Sequence, residues 1–419
     1  DENFMDFSND WMDEFKLRFS LGQTGNAASG ASLYLGSYAS GDNYMDMSAI
    51  TPSTMQLNRL KWETTTEYNT GLDASFLKGK LRFTVDVYQK YIKDLLQKKV
   101  KMPTSIGYGN GYEVSYMNSG KMTNKGWEFR VDAVPFENRD WRVGFYFNIA
   151  HNENKITEMP DNYTEENYTF NNGEYAYRRE EGRPMGSFYG YRYKGVCQNK
   201  DATYARDADG NVMKDISGNA IVMRNGTATI APGDALYEDI NHDGVINQYD
   251  IVYLGNSNPR FTGGAGVNVS YKQFKLSAIF YGRYGQDVVN STRLNNESMR
   301  GIDNQSTAVL RRWRNEGDQT DIPRALYGEG YNTLGSDRFV EDASYLRLKS
   351  LSFNYRLPKK IIQRWGFSNI DVYVTGYNLF TWTKYTGQDP EVKTENTYAR
   401  DSATTPASIQ LVAGFNLSF

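Results

Sequence analysis

The residues best suited to chemistry lie in one short run, Asp239-Ile240-Asn241-His242-Asp243-Gly244-Val245-Ile246-Asn247-Gln248-Tyr249-Asp250. Side-chain oxygens fall at its first, third and fifth positions (Asp239, Asn241, Asp243), with Gly244 where a calcium loop makes its sharp turn. Val245 would add a carbonyl, Asn247 a ligand through water, and Asp250 closes the run where the strongest sites carry a bidentate Glu. An all-oxygen set suits a hard cation, so the expectation is structural calcium, or magnesium, in a long loop; His242 points outward between ligands. The bland alternative is an Asx-rich turn with no metal. Asp207-Ala208-Asp209-Gly210-Asn211 has a similar start but lacks the later ligands, and reads as a hairpin turn.

Catalytic constellations find little support. His151 and His242 are the only histidines, and neither sits in a nucleophile pattern. The acidic residues number fifty, so chance pairs are unavoidable and a glycosidase pair cannot be read from counting. Gly263-Gly264-Ala265-Gly266 has no Lys or helix after it, so a phosphate loop is excluded in favour of packing within a strand. The single Cys197 leaves no disulfide framework. A formal net charge of −3 with no basic stripe speaks against a nucleic-acid partner. The run Lys98-Lys99-Val100-Lys101 reads as a solvated strand extension.

The elements that must hold these residues are strands. Apolar residues alternate at Phe15–Leu17–Phe19–Leu21, Leu81–Phe83–Val85–Val87 and Trp127–Phe129–Val131–Ala133. The same period of two recurs at Trp141–Val143–Phe145–Phe147–Ile149, Phe274–Leu276–Ala278–Phe280, Ile370–Val372–Val374 and Ile409–Leu411–Ala413–Phe415–Leu417–Phe419. The spacing predicts about ten strands near 15–22, 67–76, 80–91, 126–135, 140–157, 261–271, 274–284, 342–357, 368–379 and 408–419. No run approaches the ~20 apolar residues of a membrane helix. A barrel strand, by contrast, shows lipid only every second side chain and averages out as polar.

A soluble sandwich would alternate in the same way, but the connections separate the two. Short joins at 77–79, 137–140 and 272–273, with a helical turn expected in 358–367, alternate with long ones at 23–66, 92–125, 158–260, 285–341 and 380–407. Short periplasmic turns and long extracellular loops are the habit of outer-membrane barrels. Parity then puts the end of the last strand in the periplasm, provided 188–196 stays within a loop. Aromatics make up 14% of the chain beside 38 Gly and 11 Pro. Tyr88, Tyr91, Tyr146, Tyr281, Tyr284, Tyr373 and Tyr377, near strand ends, are expected at headgroup level. Phe419 matches the terminal aromatic expected as an assembly signal. The start at Asp1, in mid-pattern and without a signal sequence, suggests a fragment.

Several segments together resemble the SusC/RagA family of TonB-dependent outer-membrane transporters. They are Leu60-Lys61-Trp62-Glu63, Tyr68-Asn69-Thr70-Gly71-Leu72-Asp73, Asn118-Ser119-Gly120, Asn124-Lys125-Gly126-Trp127-Glu128, Gly186-Ser187-Phe188-Tyr189-Gly190-Tyr191, Pro232-Gly233-Asp234 and the 239–250 run. After these come Gly255-Asn256, Pro259-Arg260-Phe261-Thr262-Gly263-Gly264, Tyr345-Leu346-Arg347-Leu348-Lys349, Asn378-Leu379-Phe380-Thr381 and Asp389-Pro390-Glu391. The resemblance implies an all-β, transmembrane antiparallel barrel of about 22 strands, of which residues 1–419 supply the C-terminal ten or so. The plug, the TonB-contacting segment and the earlier strands would lie elsewhere, and 158–260 would be a long extracellular loop region.

It further implies import of an oligosaccharide or peptide across a Bacteroidetes-like Gram-negative outer membrane. The partners would be a SusD-like surface lipoprotein, TonB–ExbB–ExbD acting through the absent N-terminal region, and the lipid bilayer. Trp11, Trp62, Tyr108, Tyr112 and Tyr189 are candidate stacking platforms, although loop aromatics also serve the loops themselves. The competing readings are a secreted β-sandwich glycan-binding module with a calcium-stapled loop, and a barrel enzyme.

Overall fold

A computed structural model describes residues 11–419 apart from 31–32, 46, 103, 109–111, 160–171, 329–330 and 396–397. Its dominant feature is a ten-stranded sheet whose strands follow one another in chain order. They are β1 (Met12–Asn26), β2 (Glu63–Phe76), β3 (Leu81–Lys93), β4 (Lys121–Glu137), β5 (Trp141–Glu158), β6 (Phe261–Tyr271), β7 (Phe274–Tyr284), β8 (Tyr345–Arg356), β9 (Asn369–Thr383) and β10 (Gln410–Ser418). All ten expected strands are present, most of them longer at the long-loop end than the alternation showed. Among the described residues the chain divides into two compact units. One holds 11–133, 148–159 and 179–184; the other holds 134–147, 172–178 and 185–419.

Register turns the alternation into two faces. In the first unit Leu17 pairs with Leu72, Leu72 with Val85, and Val85 with Phe129. One residue along each strand, Arg18 pairs with Gly71, Gly71 with Asp86, and Asp86 with Glu128. In the second unit an apolar rung runs Val269, Leu276, Phe353, Val374, Ala413. Beside it lies a mostly polar one, Asn268, Ser277, Ser352, Thr375, Val412. Since side chains alternate across a strand, every second residue gathers on one apolar face.

That apolar face is not covered. Val87, Phe145, Leu276, Phe353 and Val374, all on strands paired on both sides, are 38–55% exposed. The buried apolar clusters instead draw on loop residues such as Tyr191, Tyr237, Ile246 and Leu334, or Phe188, Val289, Leu294 and Tyr398. Among the described residues no strand from β1 to β10 contributes to them. A sandwich buries its apolar rows against a second sheet; here the rows are bare and the dry cores sit in the loops.

The short joins are tight turns. Leu77, Lys78 and Gly79 all have positive φ between β2 and β3, as does Lys272 between β6 and β7. The expected helical turn between β8 and β9 is a helix at Lys359–Ile362 followed by a 3-10 turn at Gln363–Trp365. Residues 188–196 stay out of the wall: Ser187–Gly190 pairs with Val252–Asn256, and Tyr193–Val196 with Ala235–Tyr237.

Two expectations change. The lysine run lies in Leu96–Lys101, which pairs with Glu113–Asn118 in a separate loop hairpin and does not extend β3. The ladder breaks at Asp94, whose φ of 54° an extended strand cannot carry. Among the seven tyrosines assigned to headgroup level, only Tyr91 and Tyr284 share the apolar face. Tyr88, Tyr146, Tyr281, Tyr373 and Tyr377 fall on the polar one, because each is an odd number of residues from its strand's apolar row. Several of them lie over glycines of a neighbouring strand: a Cβ on Gly126 would strike Tyr88, one on Gly266 Tyr146, and one on Gly414 Tyr373. An aromatic ring covering a cross-strand glycine restores the packing the glycine lacks. The glycine-rich stretch 263–266 is therefore a strand interior, as its sequence context indicated.

Candidate functional site

The 239–250 loop is wound by its own carboxylates. Gly244 N–H donates to Asp239 Oδ2 at 2.8 Å, Val245 N–H to Asp243 Oδ1 at 2.7 Å, and Tyr249 N–H to Asn247 Oδ1 at 2.8 Å. Asp250 is wholly buried and accepts from Ile240 N–H and Asn247 N–H, each at 2.8 Å. His242 and Gly244 both have positive φ, which Gly supplies without strain. Burial pushes the Asp250 carboxyl above the usual carboxylate range, and the nearby Asp239 and Asp243 add to the shift. None of the three carboxylates has an ion-pair partner among the described residues.

The side chains present are of the right chemistry for a hard cation, and a cation would supply the missing positive charge. Their present arrangement is not a ready cage. Asn241 Nδ2 donates to Asp243 Oδ2 at 2.9 Å and Asn247 Nδ2 to the Val245 carbonyl at 3.1 Å. Among the described residues no three His, Cys, Asp or Glu side chains gather closely enough to share an ion. The loop is fixed from behind: Val245 and Ile246 pair in parallel with Arg224 and Asn225, and Ile246 enters the core beside Tyr191 and Tyr237. A cavity of about 460 Å³ lined by Arg178, Gln248, Tyr249 and Ile251 opens at its C-terminal end. Asp207 behaves as the hairpin turn expected, accepting from Asp209 and Asn211 N–H.

Other loop segments are clamped by charge. Asp234 takes Arg324 in a fork at 2.7 and 3.1 Å and also accepts from Asn332 Nδ2, geometry that favours Arg over Lys. At the top of β8, Arg347 is nearly buried. Its guanidinium donates to Thr381 Oγ1 and Glu391 Oε2, both at 2.8 Å, and to Asp389. Lys349, the extra residue of a bulge in β8, reaches Glu391 at 2.8 Å. Burial alone would raise the Asp389 carboxyl, but Ala407 N–H and the Arg347 guanidinium outweigh it and hold it below its ordinary value. These two clusters fasten distant loop segments together and to the wall. Sequence reasoning picked out the segments of Asp234, Arg347 and Asp389 separately, left Arg324 unmarked and missed the pairing; the basic alternation Arg347–Lys349 against Asp389–Glu391 was the available signal.

A family profile described as TonB dependent receptor-like, beta-barrel matches residues 6–379. The chain belongs to that family. It is similar to TonB-dependent receptor P3 of Formosa agariphila, 31% identical over 94% of this chain and 37% of that protein. It is also similar to TonB-dependent receptor SusC of Bacteroides thetaiotaomicron, 27% identical over 100% of this chain and 39% of that protein. Among solved structures, the RagAB peptide transporter matches with a TM-score of 0.71 at 26% identity, over 98% of this chain and 41% of the matched one. The chain thus spans about two-fifths of the length of these relatives. Its sheet is wall of the SusC/RagA kind in an outer-membrane β-barrel family of transporters and receptors, not of enzymes.

In a TonB-dependent receptor barrel the bare apolar face meets lipid and the polar face lines the lumen. The candidate platforms sort accordingly. Trp62 lies across Gly25, on the lipid-facing side with Tyr68 and Leu72, and Trp11 stacks on Phe76 with centroids 5.6 Å apart beside the 77–79 turn. Both sit as interface anchors. Tyr189 is fully buried and offers no open face. Tyr108 and Tyr112 stack on each other at 4.5 Å, and Tyr112 Oη accepts from Met55 N–H. Phe419 is exposed, its ring 5.1 Å from Phe367.

Proposed function

We propose that this chain forms part of the channel wall and the extracellular loop domain of a TonB-dependent importer of a bulky nutrient, an oligosaccharide or a peptide. The observation that carries this reading is the split of the sheet into a bare apolar face and a polar one, with the buried apolar clusters of the described residues drawn from the loops. Such a wall separates lipid from a wet passage, and the loops carry cores of their own beside it. The RagAB relative is a peptide transporter by name, which supports the peptide arm. The working partners are a SusD-like surface lipoprotein at the loop end and TonB–ExbB–ExbD, engaged through a part of the receptor that this chain does not span. Cells lacking the full-length receptor should fail to accumulate either labelled oligosaccharides or labelled oligopeptides, and collapsing the proton gradient should mimic the deletion. Unchanged uptake of both classes would end this reading, and mass spectrometry of the purified receptor would identify the lipoprotein.

The 239–250 loop belongs to the same proposal as a structural calcium site, or a magnesium one, held by Asp239, Asn241, Asp243, the Val245 carbonyl, Asn247 through water, and Asp250. The uncompensated charge of three carboxylates, Asp239, Asp243 and the buried Asp250, supports it. Rotating the Asn241 and Asn247 amides would free the oxygens they now engage. Metal analysis of purified receptor should find a divalent ion near stoichiometry that Asp239→Ala removes; no ion in the unaltered protein rejects the site.

A further inference from the structure

We infer that Lys93, Lys125 and Lys155 form a docking surface, on the lipid-facing side of the wall, for the phosphate groups of outer-leaflet glycolipid headgroups. The inference rests on family membership and register, and is independent of what the channel carries.

The placement follows strand by strand. Val87 pairs with Trp127, and both lie on the lipid-facing rows. Continuing toward the long-loop end, Gln89 pairs with Lys125 and Tyr91 with Thr123. Ile92 pairs with Met122, which puts Lys93 beside Lys121 on the next outward rung. On the other side of β4, Asn154 Nδ2 donates to Asn124 Oδ1 at 2.8 Å and the His151 ring meets Trp127 at 6.1 Å. Those contacts set Glu153 beside Lys125 and Lys155 beside Thr123. Lys93, Lys125 and Lys155 therefore share one face, two to four rungs above the last fully apolar one, and all are exposed.

The same face holds the aromatic anchors that mark the interface: Tyr68 and Tyr91 meet edge-to-face at 6.2 Å, with Trp127 in the next strand. Beyond such a belt a lysine stem lies along apolar surface and its ammonium reaches headgroup level. Lys121 is engaged by Glu158, but Lys93, Lys125 and Lys155 have no ion pair among the described residues. Among the described residues, the only carboxylate placed among them on these rungs is Glu153. Lys125 and Lys155 are diagonal neighbours, about 7–8 Å apart and within reach of long side chains, so their two ammonium groups can share one phosphate. In a chain whose net charge is −3, three unpaired cations on a surface that cannot face the lumen substrate call for an anion in the membrane plane. By contrast, the outward rungs of the second unit carry Phe261, Tyr284, Leu346 and Trp382 at their long-loop end.

The test uses the full-length receptor in mild detergent, titrated with bis-phosphorylated lipid A and with the same lipid stripped of its phosphates, bound lipid being counted by native mass spectrometry. The phosphorylated lipid should bind at least tenfold more tightly, weaken as NaCl rises, and fall to the level of the stripped lipid in Lys93→Gln/Lys125→Gln/Lys155→Gln. Equal binding of the two lipids, or full retention by the triple variant, overturns the proposal. So does complete displacement by millimolar inorganic phosphate, which would assign a free-anion site instead. Should the triple variant not fold, judged by heat-modifiable gel migration, the salt dependence and phosphate discrimination of the unaltered receptor decide the question.

Discussion

Gly71 lies directly between Arg18 and Asp86 on three adjacent strands, and the Arg18 guanidinium crosses over it to reach the carboxylate at 3.0 Å while holding Asp73 at 2.7 Å. A Cβ at Gly71 would stand 2.6 Å from Arg18 Cζ and from Asp86 Oδ1, so only glycine leaves the passage open. The arginine thereby ties together strands that are not neighbours, on the polar side of the wall. Gly71→Val should expel the guanidinium and release Asp86, lowering the temperature at which the barrel loses its folded gel mobility. Arg18→Gln should lower it by a similar amount, and combining the two should add little, since both remove the same bridge. Additive losses would show that Gly71 acts on its own account.

The Arg347 cluster predicts a larger effect confined to one loop. Removing one partner of a buried ion pair costs about 3–5 kcal/mol, because the other charges stay buried and unpaired. In Arg347→Ala, Asp389 and Glu391 lose their main cation, so residues 384–407 should exchange amide hydrogens far faster while β8 and β9 keep their protection. Lys349→Ala, with a more open partner, should cost about 1 kcal/mol or less. Equal protection of 384–407 in both variants would remove the cluster as the loop's anchor.

These examples show what the sequence made legible. The two faces of each strand, the turn at Lys272 and the helical turn after Pro358 follow from local periodicity and turn chemistry, and all could be read residue by residue. The loop cores could not. Phe188 packs on Tyr398 and Tyr191 bridges to Ser336, contacts between segments far apart in sequence with no shared period. The tyrosines show a subtler failure: Tyr88 and Tyr91 stand in the same strand end, yet three residues of separation put them on opposite faces. Aromatic content located the strand ends and left the side undetermined. For the cation loop, spacing identified the oxygen donors, while the amide contacts of Asn241 and Asn247 depend on geometry that spacing does not encode.

That loop should show a pH response whose sign depends on metal. Asp250 titrates above its ordinary value when the loop is folded without a cation. A group raised by folding contributes stability that is complete below its unfolded pKa and is lost as pH rises through the folded one. In chelator, residues 239–250 should therefore resist proteolysis better as pH falls through the raised Asp250 pKa. With millimolar calcium the order should reverse, since protons then compete with the ion for the carboxylates. Asp250→Asn should abolish the chelator-phase response. The same slope with and without calcium would mean that no ion binds there.

The two faces of the wall make the most general prediction, because charge should be tolerated on one and rejected on the other. Phe129 lies mid-strand on the lipid-facing row against Phe83, at a ring distance of 6.2 Å. Arg130, the next residue, faces the lumen and bonds Asp132 at 2.7 and 2.8 Å. An arginine on the lipid face near the bilayer midplane costs about 2–4 kcal/mol, whereas an exposed ion pair is worth about 0.2–1 kcal/mol. Phe129→Arg should thus slow or prevent folding of the full-length receptor into phospholipid vesicles, while Arg130→Leu folds nearly as well as the unaltered chain. Unfolding titrations in the same vesicles measure both. A larger penalty for Arg130→Leu than for Phe129→Arg would mean that the faces are assigned the wrong way round, and the lumen, the lipid boundary and the lysine surface would change sides together.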